Sequence, residues 1–184
     1  MIRIPILLAA ATAAACAGGS PTEPPSEDGV PSPPAELPAP ALSTDADRYV
    51  LERTTIGWEA AIPFTYENRT RGPVFVVSCL HPTPPILEKW VGGRWVTAWS
   101  PTVPACLGPV LRVEAGERYS DGLRVFAGYP ENNWHPKFDV AEPEGTYRLV
   151  WDVLSSYDPG RYPFGDPLPL HLRVSNSFEL VEGD

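Results

Sequence analysis

Residues 87–99 read Leu-Glu-Lys-Trp-Val, Gly92-Gly93, Arg-Trp-Val-Thr-Ala-Trp. Two runs rich in aromatic and aliphatic residues meet at a pair of glycines, and glycine reaches the positive φ angles that a two-residue turn requires. The stretch therefore predicts a β-hairpin. The same signature recurs on both sides of it. Ile62, Phe64 and Tyr66 alternate with Thr65 and Glu67, the period of a strand with one buried face. Residues 74–79, VFVVSC, are apolar on both faces, as an interior strand would be. Further strand-like runs occupy residues 49–53, 110–113, 119–126, 147–154 and 170–180, with turn residues between them at short intervals. Residues 46–184 thus predict an all-β sandwich of about eight or nine strands. Twenty-four prolines in 184 residues speak against long helices, because proline removes a helix donor and clashes with the preceding turn.

The chain opens MIRIPILLAAATAAAC. One basic residue, a short apolar stretch and small residues make residues 1–15 an export signal. The greasy part, Ile4 to Leu8, is far shorter than the ~20 apolar residues of a membrane span. Residues 17–45 hold eight prolines and five acids but no lysine or arginine. Val30, Leu37 and Leu42 are their only large aliphatics, too few to offset the entropy of ordering. The stretch predicts a disordered, partly polyproline tether with a reach on the order of 90 Å.

Ala13-Ala14-Ala15-Cys16 resembles the lipobox of bacterial lipoproteins, with Ala13 standing where the family usually has leucine. The resemblance implies cleavage before Cys16, a diacylglycerol on its thiol and an acylated amine. It also implies an exported protein held by lipid on the cell membrane or outer membrane. An ordinary signal peptide cut after Ala15 is the alternative, and it leaves Cys16 as a free terminal thiol. The organisation that follows is a signal peptide at 1–15, a lipidated cysteine with its Pro-rich tether at 16–45, and the β domain at 46–184.

Four motifs give that domain a family likeness. Asn68 ends an early strand, Gly92-Gly93-Arg94-Trp95 turns a central hairpin, Gly145-x-Tyr147-Arg148 comes late, and Val174-Ser-Asn176-Ser-Phe178 closes. With these it resembles the immunoglobulin-like domains of bacterial surface lipoproteins. In such domains a tyrosine placed as Tyr147 is bonds backbone just upstream. Antibody domains carry a cysteine two residues further on, where this chain has Leu149, so the usual inter-sheet bridge is absent.

With Cys16 taken by lipid, Cys79 and Cys106 remain as an even pair in an oxidising compartment and are expected to form one disulfide. A loop of about 27 residues gives about 3.5 kcal/mol by chain entropy. The competing reading, a reactive Cys79 with His81 as its base, lacks an orienting acid and an oxyanion donor nearby. His81, His135 and His171 stand far apart without paired spacing, so neither a metal nor another cofactor is expected. Serine-hydrolase motifs are absent. The closely spaced acids Glu142 and Glu144, or Asp45 and Asp47, read as solvated surface. Asn68-Arg-Thr70 fits a glycosylation sequon, which the bacterial lipoprotein resemblance sets aside. A formal charge of −9, nearer −10 once Arg3 is removed, argues against a nucleic-acid partner.

Two long loops carry the residues that contact surfaces favour. Residues 129–138 hold Trp134, and residues 155–167 hold Tyr157, Arg161 and Tyr162. Prolines and rings also pin such loops onto their own domain. In the immunoglobulin chain order the two loops fall at opposite ends of the sandwich. The reading that follows is a non-catalytic, membrane-anchored module that binds an envelope protein or glycan. A second is an exported proteinase inhibitor, since the bacterial intracellular serine-proteinase inhibitors share the Gly-x-Trp hairpin and the late Gly-x-Tyr. It would present HPTPPILEK, with Leu87 and Lys89 as contact residues. A hydrolase or metal carrier is the third.

Overall fold

The computed structural model describes Pro33, residues 40–103 and residues 108–183. Among them are ten strands: β1 (Leu42–Thr44), β2 (Arg48–Arg53), β3 (Gly57–Glu67), β4 (Val74–Val76), β5 (Ile86–Val91), β6 (Arg94–Trp99), β7 (Leu111–Val113), β8 (Arg118–Gly128), β9 (Gly145–Val150) and β10 (Val174–Glu182). One 3₁₀ turn, Leu170–Leu172, precedes β10. Helices longer than that turn are absent among the described residues.

The long strands β3 and β8 pair antiparallel along their whole length, from Gly57 opposite Gly128 to Glu67 opposite Arg118. Trp58, Ala60, Ile62, Phe64 and Tyr66 alternate inward on β3, which is the period-2 pattern read from the sequence. In the other layer the order is β10, β9, β5, β6. The hairpin of β5 and β6 turns at Gly92 (φ 56°) and Gly93 (φ 84°), the two positive angles that its glycines supply. Strand β2 joins the layers. Its first four residues run parallel to the end of β10, while Glu52 and Arg53 pair with β3.

The layers face each other across one core. Trp151, fully buried just after β9, collects rings from the opposite layer: Phe64 and Tyr66 edge-on at 5.4 and 5.5 Å, and Tyr119 stacked at 5.5 Å. Its indole N–H donates to the carbonyl of Thr83 at 2.6 Å. The hydroxyl of Tyr147 donates to the carbonyl of Pro143 at 2.6 Å, which makes the tyrosine corner that Gly145-x-Tyr147 suggests. Leu149 is buried where antibody domains place a cysteine. Strands β1–β3–β8 against β10–β9–β5–β6, with that corner, form an immunoglobulin-like β-sandwich.

Three expectations need correction. The composition assigns residues 42–44 to the tether, but β1 pairs with β3, Leu42 opposite Tyr66, and Leu42 is wholly buried. The fold therefore begins before residue 46. Residues 74–79 do not make an interior strand. Only Val74–Val76 is a strand; it pairs with β7 in a separate two-stranded sheet, and Phe75 also bridges Leu154. Its second apolar face is met by a loop ring instead, with Tyr157 stacked on Phe75 at 6.3 Å. The strand read at 147–154 ends at Val150, after which Leu154 exchanges backbone bonds with Phe75.

Candidate functional site

The register of the strands defines two ends of the sandwich. Strand β1 begins at Leu42 beside Tyr66, so the preceding chain joins the domain at the end where β3 finishes. Eleven residues of β3, at about 3.3 Å each, separate that end from the one where Gly57 meets Gly128, on the order of 35 Å.

At the far end lies a cleft of about 400 Å³, lined by Arg53, Trp58, Tyr129, Phe138, Val140 and Pro143 among others. Its wall is built from the turn between β2 and β3 and from residues 129–144, and each piece is fixed by backbone chemistry. Tyr129 packs edge-on against Trp58 at 5.5 Å and donates its hydroxyl to the carbonyl of Thr54 at 2.7 Å. The Asn132 amide donates to the carbonyl of Ile56 at 2.6 Å, and Lys137 Nζ donates to the carbonyls of Pro130 and Asn132 at 2.8 and 2.5 Å. The backbone N–H of Asp139 donates to the carbonyl of Ala98, which ties the loop to the edge strand β6. Phe138 leans on Tyr147, whose corner bond holds Pro143. A side chain at Gly128 would strike the Trp134 carbonyl at 2.4 Å, so glycine is what lets the loop lie against β8.

Arg53 supplies the charge. Its guanidinium stands 4.8 Å above the Trp58 ring, and its Nε pairs with Glu182 at 3.2 Å. An aromatic and proline-lined depression with a few charged groups on its rim is the usual make-up of a binding cleft. Neither Arg53 nor Trp58 was singled out in the sequence. Their signal is faint: two large residues flanking the tight turn Thr54-Thr55-Ile56-Gly57. Trp134 belongs to the same loop and is 53% exposed, but it does not line the cleft.

The second loop leaves from the opposite end of β9. Tyr157 is half-buried, stacked on Phe75 and tilted against Phe164 at 6.3 Å, which makes it packing rather than an open contact. Tyr162 meets Phe164 edge-on at 5.7 Å yet is 88% exposed, and Arg161 beside it is exposed too. The loop is closed by backbone bonds from Asp158 to Phe164 and from Ser155 to Asp166. Trp134 and the group Tyr157, Arg161, Tyr162 thus sit at opposite ends and do not form one site.

The segment proposed to face a protease is occupied otherwise. Leu87 and Lys89 lie on β5, an inner strand between β9 and β6, and both are buried. Lys89 Nζ donates to the carbonyl of Glu142 at 2.6 Å. Burial holds its pKa below the usual lysine value, against the opposing pull of Glu142, Glu144 and Glu179. A protease cannot read these two side chains. Asn68 is also spent: its amide donates to the carbonyls of Gly72 and Val113, both at 2.9 Å, and its Oδ1 accepts from the backbone and hydroxyl of Thr70. The sequon therefore reads as a buried bracket between loops. Among the described residues no three His, Cys, Asp or Glu side chains converge as a metal site would require. Cys16 and Cys106 lie outside the described residues.

No family model and no curated protein matches the chain. Among solved structures it is similar to the ASH / PapD-like domain of human CEP192 (PapD-like domain 7), at 17% identity over 86% of this chain and 98% of that one, with a TM-score of 0.27. So loose a likeness bears no functional weight.

Proposed function

We propose that the chain is an exported lipoprotein whose immunoglobulin-like domain is a non-catalytic binding module, held on a membrane through Cys16 and presenting its cleft to an envelope protein or glycan. The observation that carries this reading is the opposition of two ends. The chain from Cys16 joins at the Tyr66 end, and the cleft of Arg53, Trp58, Tyr129 and Phe138 opens at the other. A lipid on Cys16 would leave that cleft facing away from the surface. A bridge between Cys79 and Cys106 belongs to the same reading. Its support is that the Cys79 sulfur is engaged in a disulfide. In addition, Gly108, two residues beyond Cys106, donates its N–H to the carbonyl of Ser78 at 2.7 Å.

The test is a capture from envelope extract with the native protein and two variants. Tyr129→Ala with Phe138→Ala is expected to lose the partner, whereas Tyr157→Ala with Tyr162→Ala keeps it. Loss in the second variant only would move the site to the other end. Fatty-acid labelling of the native chain and of Cys16→Ser tests the anchor, and label on both would sink it.

A further inference from the structure

Exposed apolar residues also mark the loops at the end where the chain enters the domain. Strands β10, β9 and β5 start or finish together there, since Val150 stands opposite both Val174 and Ile86. The connections leaving these strand ends all hang from that one edge of the sandwich. Each carries an exposed apolar residue: Leu80 (86%) between β4 and β5, and Tyr162 (88%) and Leu170 (46%) between β9 and β10. Leu80 and Tyr162 are the two most exposed large hydrophobic residues described. Their loops are braced from behind. Ser78 and Pro82 form a bridge beneath Leu80, and Phe164 backs Tyr162.

We propose that these tips touch the lipid surface to which the tether leads, so that the domain rests on the bilayer with Leu80, Tyr162 and Leu170 in the interfacial layer. This rests on the anchored reading above. Tyrosine and leucine at loop tips are suited to such a layer, where one side of the ring is apolar and its hydroxyl stays wet. The net charge of −9 gives no general attraction to an anionic leaflet, so the contact is apolar and insensitive to salt. Insertion this shallow is weak alone. A tether that keeps the tips near the bilayer makes it effectively intramolecular, and modest apolar area then suffices.

The probe is a vesicle of phosphatidylethanolamine and phosphatidylglycerol. In the first arm the native lipidated protein is incorporated, and its amide hydrogen exchange is compared with that of the chain from Ala17 onward, free in solution; that chain keeps the whole described fold. Exchange is expected to slow about tenfold or more around Leu80, Tyr162 and Leu170, with residues 129–138 unchanged. In the second arm the chain from Ala17 is sedimented with the same vesicles. Leu80→Ser, Tyr162→Ser and Leu170→Ser together are expected to lower the bound fraction at least about tenfold, at low and high salt alike. Substitutions at such exposed tips leave stability nearly unaltered.

Unchanged exchange at the tips in a protein that carries fatty acid overturns the inference while the anchor stands. Salt-sensitive partitioning that ignores the three substitutions also overturns it, as does self-association of the free chain through the same tips. Partitioning lost in the triple variant upholds the lipid contact of the tips, and the fatty-acid label on Cys16 decides the anchor separately.

Discussion

Replacing Tyr66 by phenylalanine should stabilise this protein, and more so in alkali. The Tyr66 ring is buried on β3 against Trp151, yet its hydroxyl oxygen meets no hydrogen-bond partner among the described residues. A buried polar atom without a partner carries its full desolvation cost, so its removal should raise stability at pH 7 by about 1 kcal/mol. Burial also pushes the Tyr66 pKa up to about 12 from the ordinary 10.0. The sign follows from which form the fold tolerates. The folded state keeps its proton after the unfolded state has lost it, so this contribution is complete below pH 10 and disappears as pH rises through 12. By pH 11 the loss from this residue is about 1.4 kcal/mol. Tyr119, also pushed up to about 12 by burial and its bond to Asp121, stays in both proteins and cancels from the comparison. The advantage of Tyr66→Phe should therefore widen from about 1 kcal/mol at pH 7 to about 2.4 kcal/mol at pH 11. Urea denaturation of the oxidised protein, followed by tryptophan fluorescence at both pH values, measures it. A variant less stable than the native protein at pH 7, or a gap that does not change with pH, would refute the reasoning.

Three other outcomes are expected. Asn68→Ala removes all four side-chain bonds of a buried amide and should cost about 3 kcal/mol; a loss under about 1 kcal/mol by the same denaturation would show that water replaces the bracket. Tyr147→Phe deletes the corner bond to a half-buried Pro143 carbonyl that water can reach, for a smaller cost of about 1 kcal/mol. Its effect should also appear as faster hydrogen exchange in residues 139–146. Cys79→Ala and Cys106→Ala should each cost about 2 to 5 kcal/mol, and peptide mapping without reductant should recover the two cysteines joined. Two unmodified thiols in the exported protein would end that pairing.

What the sequence disclosed and what it hid divide along a physical line. The hairpin at Gly92-Gly93, the alternation of Ile62, Phe64 and Tyr66, and the Tyr147 corner are local: turn chemistry and periodicity act within a few residues of themselves. Strand β1 escaped because three residues in a proline-rich setting carry no period of their own, and Leu42 is apolar for the sake of Tyr66, 24 positions away. The run at 74–79 misled for the related reason that its outer face is covered by Tyr157, a loop residue from beyond β9. The cleft was half legible. Tyr129 and Phe138 lie in a loop whose composition marks it, while Trp134, the loop's most conspicuous residue, lies outside the cleft lining. Arg53, Trp58 and Glu182 come together only through the joining of β2 to both layers, and a pairing that spans the chain leaves no local trace.

The way β1 and β2 are paired bears on what happens when such a molecule is pulled. A load applied between the chain before Leu42 and a partner in the cleft runs along the strands, while their ladder hydrogen bonds lie across them. The bonds are then sheared together instead of being peeled in sequence. Thr44 is stitched twice to Asn176 of β10, by its backbone N–H at 2.9 Å and its hydroxyl at 2.7 Å, so slippage of β1 is checked before it reaches β2. Beyond that stitch, four residues of β2 in parallel register with β10 must give way at once. The resisting bonds thus run from the end where the chain enters, at Thr44, toward the cleft end of β10, at Glu182.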